Sequence, residues 1–179
     1  MIIDKLFKDL NLFYSYNYKE FSLINPFFIR NNNKLTWHNY LPFESFDNYI
    51  DYYLWVGNHR QYSIVADGIG IFQFYFFTDK NYIKEASLAF LPIPDISHQY
   101  FRVDYNSESN HDEIHPKGHI HYGYPSSFVR MLTIQIPFPS VFMYYFLRFG
   151  GMGAFSPSKD KIYSLNEKIF NSAFYFDTA

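Results

Sequence analysis

The dipeptide Asp67-Gly68 constrains this chain more than any other local feature. It stands between two runs rich in β-branched and aromatic residues, Gln61–Ala66 and Ile69–Phe77. Two-residue hairpin turns need positive φ, which Asp-Gly supplies at little steric cost. Two strand-like runs joined this way are expected to be antiparallel neighbours.

More strand-like runs follow at short intervals. Lys84–Leu91 reads as a third strand, stopped by Pro92 and Pro94. Gln99–Tyr105 reads as a fourth, Gly118–Tyr122 as a fifth and Val129–Ile136 as a sixth, closed by Pro137 and Pro139. Earlier, Phe21–Arg30 and Lys34–Tyr40 are short extended pieces around the turn formers Asn31, Asn32 and Asn33.

Helical spacing marks both ends of the chain. Ile3, Leu6, Phe7 and Leu10 recur every three or four residues, with Asp4, Lys5, Lys8 and Asp9 on the wet face. Within Glu44–Val56, Phe46, Tyr49, Ile50, Tyr53 and Leu54 keep helical spacing, with Ser45 as a candidate cap, and helix is the favoured reading; the aromatic richness of the segment also suits a strand. Ser140–Phe149 reads as a helix, then comes the flexible Gly150–Gly153 stretch, then a last helix over Lys159–Asn171. The expected fold class is α+β, a single antiparallel β-sheet of about five to seven strands covered by N- and C-terminal helices. No repeat, linker or boundary divides the chain, so residues 1–179 read as one domain.

Composition narrows the partners. With 22 Phe and 18 Tyr in 179 residues there is ample bulk for a core. A formal charge of −2 gives no strong footprint for duplex DNA. Arg30, Arg60, Arg102, Arg130 and Arg148 leave room for a small basic groove. The absence of cysteine excludes disulfides, thiolate catalysis and Cys-ligated zinc. Residues Met1–Phe13 carry too many charges for a signal peptide, and no apolar run nears the roughly 18–20 residues that span a bilayer. The expected location is the cytoplasm, with no membrane partner.

The chemistry concentrates between Tyr100 and Gly123. Five of the 7 histidines lie between His98 and His121. Side chains on a strand alternate faces, so Arg102 and Asp104 share one face while Phe101, Val103 and Tyr105 share the other. By the same rule His119 and His121 lie opposite Ile120 and Tyr122. If the two strands pair across the loop and bury their apolar faces together, Arg102, Asp104, His119 and His121 meet on one side. A register slip by one residue would scatter them. His98 and His111 read as plain loop histidines.

Such a cluster suits more than one chemistry. Two histidines, with an unperturbed pKa of about 6.5, can serve as general acid and base. Asp104 would orient an imidazole, and Arg102 would clamp a phosphate through paired hydrogen bonds. That set fits an RNA- or nucleotide-directed phosphodiesterase, such as a toxin or defence effector, working without metal. Equally, His119, His121 and Asp104, joined by His115 or Asp112, make a ligand set for Zn²⁺, Mn²⁺ or Fe²⁺ in a metal-dependent hydrolase or oxygenase. A third reading is a non-enzymatic binding module, its exposed aromatics meeting a protein partner encoded nearby. The glycines of Asp67-Gly-Ile-Gly70 are expected to serve the turn alone, since no helix start follows them.

The order Gln61-Tyr-Ser, Asp67-Gly, Phe72-Gln-Phe, Ser87 to Pro94, Phe101-Arg-Val-Asp-Tyr105, His115-Pro, His119-Ile-His-Tyr-Gly123 and Ile136-Pro-Phe-Pro139 resembles the bacterial domain-of-unknown-function family numbered 2290. The similarity runs from about Gln61 to Phe149. It implies a bacterial cytosolic protein, associated with mobile defence or toxin–antitoxin genes. It assigns no catalytic residue.

Overall fold

The computed structural model describes residues 1–37, 41, 45–95, 100–108, 117–123, 130–132, 135–149 and 173–175. In chain order the elements are α1 (Ile2–Asn17), β1 (Leu23–Ile24), β2 (Phe28–Asn31), β3 (Lys34–Trp37), α2 (Tyr49–Asn58), β4 (Ile64–Ala66), β5 (Gly70–Asp79) and β6 (Tyr82–Pro92). Then follow β7 (Phe101–Asn106), β8 (Gly118–Tyr122), β9 (Arg130–Leu132), β10 (Gln135–Pro137), α3 (Pro139–Phe149) and β11 (Ala173–Tyr175).

Nine of these strands form one antiparallel sheet in the order β1-β4-β5-β6-β7-β8-β9, with β3 beside β4 on the edge of β5 and β2 beyond β3. The α+β antiparallel architecture is the expected one, and the sheet is wider than expected because short strands at its edge carry little periodicity. Within and just beyond the run Val129–Ile136 two strands are described: β9 pairs with β8, and β10 pairs with β11 in a two-stranded ladder. Nothing in the sequence of that run signals a change of partner. The expected helix over Lys159–Asn171 and the Gly150–Gly153 stretch lie outside the described residues.

Alternation along β5 organises the two faces. Phe72, Phe74 and Phe76 point to one side and are fully buried with Phe90, Leu88, Val103 and Tyr105. Helices α1 and α3 close over this side, α1 through Ile3, Leu6, Leu10 and Phe13 and α3 through Phe142, Met143, Phe146 and Leu147. Phe90 stacks on Phe146 with ring centroids 4.5 Å apart. Burying each such ring stabilises the fold by about 1.5–3 kcal/mol. The aromatic richness thus goes largely into the core. Asp9, expected on the wet face of α1, instead accepts from the Ser140 backbone N–H (2.9 Å) and hydroxyl (2.7 Å). It satisfies a first-turn donor of α3 from another helix.

The opposite side of β5 carries Ile71, Gln73 and Tyr75, and α2 covers part of it. Asn48 caps α2, accepting from the Asp51 N–H at 2.9 Å while its own amide donates to the Asp51 carboxylate at 2.7 Å. This cap, rather than Ser45, sets where the helix starts. It also sets the buried stripe, which is Tyr49, Tyr52 and Val56, whereas Ile50 and Leu54 are exposed. An aromatic segment with apolar residues all round does not reveal that rotation.

The Asp-Gly hairpin forms with a three-residue loop. The ladder resumes with Ala66 opposite Gly70, and the Ile69 N–H donates to the Ala66 carbonyl at 3.0 Å. Gly68 takes φ +71° at the turn position where a side chain would be strained. Gly70 has a different role. A Cβ there would stand 2.3 Å from the Leu91 carbonyl oxygen, so close packing of β5 on β6 requires glycine.

Candidate metal centre and adjoining pocket

The register of β7 and β8 builds the cluster. Arg102 pairs with His121 and Asp104 with His119, so the four side chains share the α2 side of the sheet. Phe101, Val103, Tyr105 and Ile120 go to the opposite side and join the main core. Strand β8 ends where the Gly123 N–H donates to the Tyr100 carbonyl at 2.8 Å. The convergence expected from alternation is therefore present. His98, His111, Asp112 and His115 lie outside the described residues.

Asp104 is the centre of the cluster. Its Oδ2 receives the Arg102 Nε at 2.7 Å, and its Oδ1 receives the Ser87 hydroxyl at 2.8 Å. The His121 Nε2 lies 3.1 Å from the same Oδ2, and the His119 Nε2 lies 3.9 Å away. Side-chain exposure is 27 % for Arg102, 21 % for Asp104 and 16 % for His119. Burial pushes the Asp104 carboxyl up, but the His121 contact, the Arg102 charge and the Ser87 hydroxyl more than offset it. The net position is below the usual carboxylate range. Arg102 is held charged: burial opposes the cation, and Tyr100 and Asp104 outweigh that.

His121 is the anomaly. It is 2 % exposed, and neither ring nitrogen has a hydrogen-bond partner among the described residues. The 3.1 Å approach to Asp104 is an ion-pair distance without the direction of a hydrogen bond. A buried polar group left unsatisfied costs about 1–3 kcal/mol, and such groups usually mark a bound water, an ion or a functional role.

One donor atom each from Asp104, His119 and His121 fall within 4.8 Å of one another. Donors around a tetrahedral ion with bonds of about 2.0–2.2 Å stand about 3.4 Å apart, so the set would have to draw in by up to about 1.4 Å to hold one. Three protein ligands leave a coordination position open, as catalytic sites do. Arg102 and Ser87 would orient the ligating carboxylate from behind.

A pocket of about 170 Å³, lined in part by Tyr52 and Trp55 of α2, adjoins the cluster. Arg102 and Ser87 line both. Its walls include Trp37, Tyr52, Trp55 and Tyr100. Behind them a chain of hydrogen bonds runs from Arg102 Nη1 to the Tyr100 hydroxyl (3.3 Å), on through Tyr52 to Gln73 (3.3 Å), and from Gln73 to the Gln61 carbonyl (2.6 Å). Burial pushes the Tyr100 and Tyr52 phenols up, so both stay neutral. Ser87, Tyr52 and Gln73 were not among the residues expected in the site. A lone serine in an apolar strand gives no signal until the strand order is known.

Of the five arginines weighed for a basic groove, the side chain of Arg130 lies outside the described residues and Arg60 lies over the Phe27 ring. Arg30 pairs with Asp4 (2.7 Å), Arg148 with Glu20 (2.8 Å) and Arg102 with Asp104. Among the described residues no helix is long and apolar enough to cross a membrane.

Comparison with known protein families, curated proteins and solved structures finds no match for this chain.

Proposed function

We propose that this chain is a metal-dependent phosphoester hydrolase, its divalent ion held by Asp104, His119 and His121. The observation that carries the reading is His121, sealed from solvent, with neither ring nitrogen hydrogen-bonded among the described residues and Nε2 3.1 Å from the Asp104 carboxylate, one of the two other donors beside it. An ion accounts for that group, whereas acid–base catalysis without metal needs ring nitrogens that substrate can reach. Two histidines and a carboxylate suit Zn²⁺, Mn²⁺ or Fe²⁺.

Charge supports the phosphoester. Arg102 already neutralises Asp104, so a bound dication leaves the cluster with excess positive charge. That favours an anionic substrate and the further negative charge of a phosphoryl transition state. A bound ion would supply an activated water. Arg102 would hold a phosphate oxygen, and Ser87 and Arg102 together would fix the Asp104 carboxylate. A cytosolic setting in a bacterial cell, and a role in defence, belong to this proposal too.

The test is hydrolysis of bis(4-nitrophenyl) phosphate by the purified chain loaded with Mn²⁺ or Zn²⁺. Turnover is expected, abolished by chelator and reduced at least about 100-fold in Asp104→Asn and His121→Ala. Turnover that survives both chelator and Asp104→Asn would sink the proposal.

A further inference from the structure

We infer that the pocket beside the metal cluster binds one planar aromatic ring system of a ligand whose anionic group reaches Arg102, as in a nucleotide or an aryl phosphate. The inference rests on the phosphoester reading and names the part of the substrate that is not cleaved.

Size sets the first limit. A pocket of about 170 Å³ compares with apolar cavities of about 150 Å³ that take up benzene. That volume suits one ring system.

Lining sets the second. Trp37, Tyr52, Trp55 and Tyr100 line the pocket; Trp55 is half-buried and is the ring a flat ligand would stack on, while Trp37, Tyr52 and Tyr100 are buried and form its wall. Trp55 is itself braced by Phe46 and His59, with centroids 5.4 and 5.3 Å away, so its ring is positioned before ligand arrives. Tyr52 is braced edge-on by Tyr100 at 5.8 Å. Gln61 and Gln73 bond to their own surroundings: Trp37 Nε1 and the Leu41 N–H donate to the Gln61 Oε1, and Tyr52 donates to Gln73. Ring selection here therefore comes from shape and stacking more than from hydrogen-bond reading of edges.

Charge sets the third. Arg102 Nε and Nη1 donate to Asp104 and Tyr100. Its side chain lines the pocket and pairs with Asp104 of the cluster. A ring in the pocket thus delivers an attached phosphate to Arg102 and, beyond it, to the proposed ion.

Both tryptophans of the chain line this pocket, so intrinsic fluorescence reads its occupancy directly. The experiment titrates metal-free protein with phenyl phosphate, adenosine monophosphate and ribose 5-phosphate, in the presence of chelator. Saturable quenching by the two ring compounds is expected, with ribose 5-phosphate at least about tenfold weaker. Trp55→Ala should weaken phenyl phosphate binding about tenfold, read by calorimetry, while zinc uptake stays as in the parent. Ribose 5-phosphate binding as tightly as phenyl phosphate would overturn the inference, as would no binding of either ring compound. Zinc uptake, measured on the same samples after chelator is removed, reports the metal reading separately. Loss of that uptake with ring binding intact would overturn only the metal.

Discussion

The Arg102 guanidinium and the Asp104 carboxylate meet two residues apart on one strand, Nε to Oδ2 at 2.7 Å, both mostly buried on the α2 side of the sheet. Removing the cation strands a carboxylate that has lost its counter-charge. Arg102→Met should cost about 1.5–3 kcal/mol, the range for hydrogen bonds to charged groups. Adding Asp104→Asn should recover part of that loss. Urea unfolding of the parent, both single variants and the double variant checks this. Additive single losses would show that the pair is not coupled.

Helix α3 depends on Asp9 for the hydrogen bonds of Ser140. Asp9→Ala should cost about 0.5–2 kcal/mol in urea unfolding, as for a lost helix cap.

The same residue carries a pH dependence. Burial raises the Asp9 pKa above its ordinary value of 3.8, against the pull of both Ser140 hydrogen bonds. A carboxyl raised on folding binds its proton more tightly in the folded chain. Its contribution is full below the unfolded value and fades as pH rises through the folded one. Asp9→Asn lacks that contribution. The stability advantage of the parent over Asp9→Asn should shrink as pH climbs above 3.8, the unfolded value. Unfolding curves at a series of pH values decide it, and an advantage that grows with pH contradicts the placement of Asp9.

Glycines give a contrast of sign. Gly70→Ala places a methyl 2.3 Å from the Leu91 carbonyl and should cost about 1–3 kcal/mol or more. At Gly57, within α2, an added methyl would meet no atom of the described residues within 4 Å. Gly57→Ala should stabilise by about 0.5–1 kcal/mol. Thermal melts of the two variants should move in opposite directions.

Period-two alternation was enough to place Arg102, Asp104, His119 and His121 together, because each strand has one apolar face that must turn to the core. The same rule could not find Ser87, since its neighbour across the ladder depends on strand order. Nor could it foresee that α2 covers the second face. Tyr49, Tyr52 and Val56 form its stripe only because Asn48 starts the helix. Asp67-Gly68 announced its hairpin correctly, yet the loop has three residues, with Ala66 opposite Gly70, and the tight packing of Gly70 on Leu91 is a long-range contact that the dipeptide does not show. The burial of His121 is likewise a product of three-dimensional packing, invisible in a His-x-His spacing.

Zinc titration of the metal-free chain, followed by calorimetry at neutral pH, tests the metal centre most directly. The geometry of Asp104, His119 and His121 predicts one ion per chain, with affinity lowered at least about 100-fold in His121→Ala and in Asp104→Asn. Absence of binding by the parent, or equal binding by both variants, would contradict it.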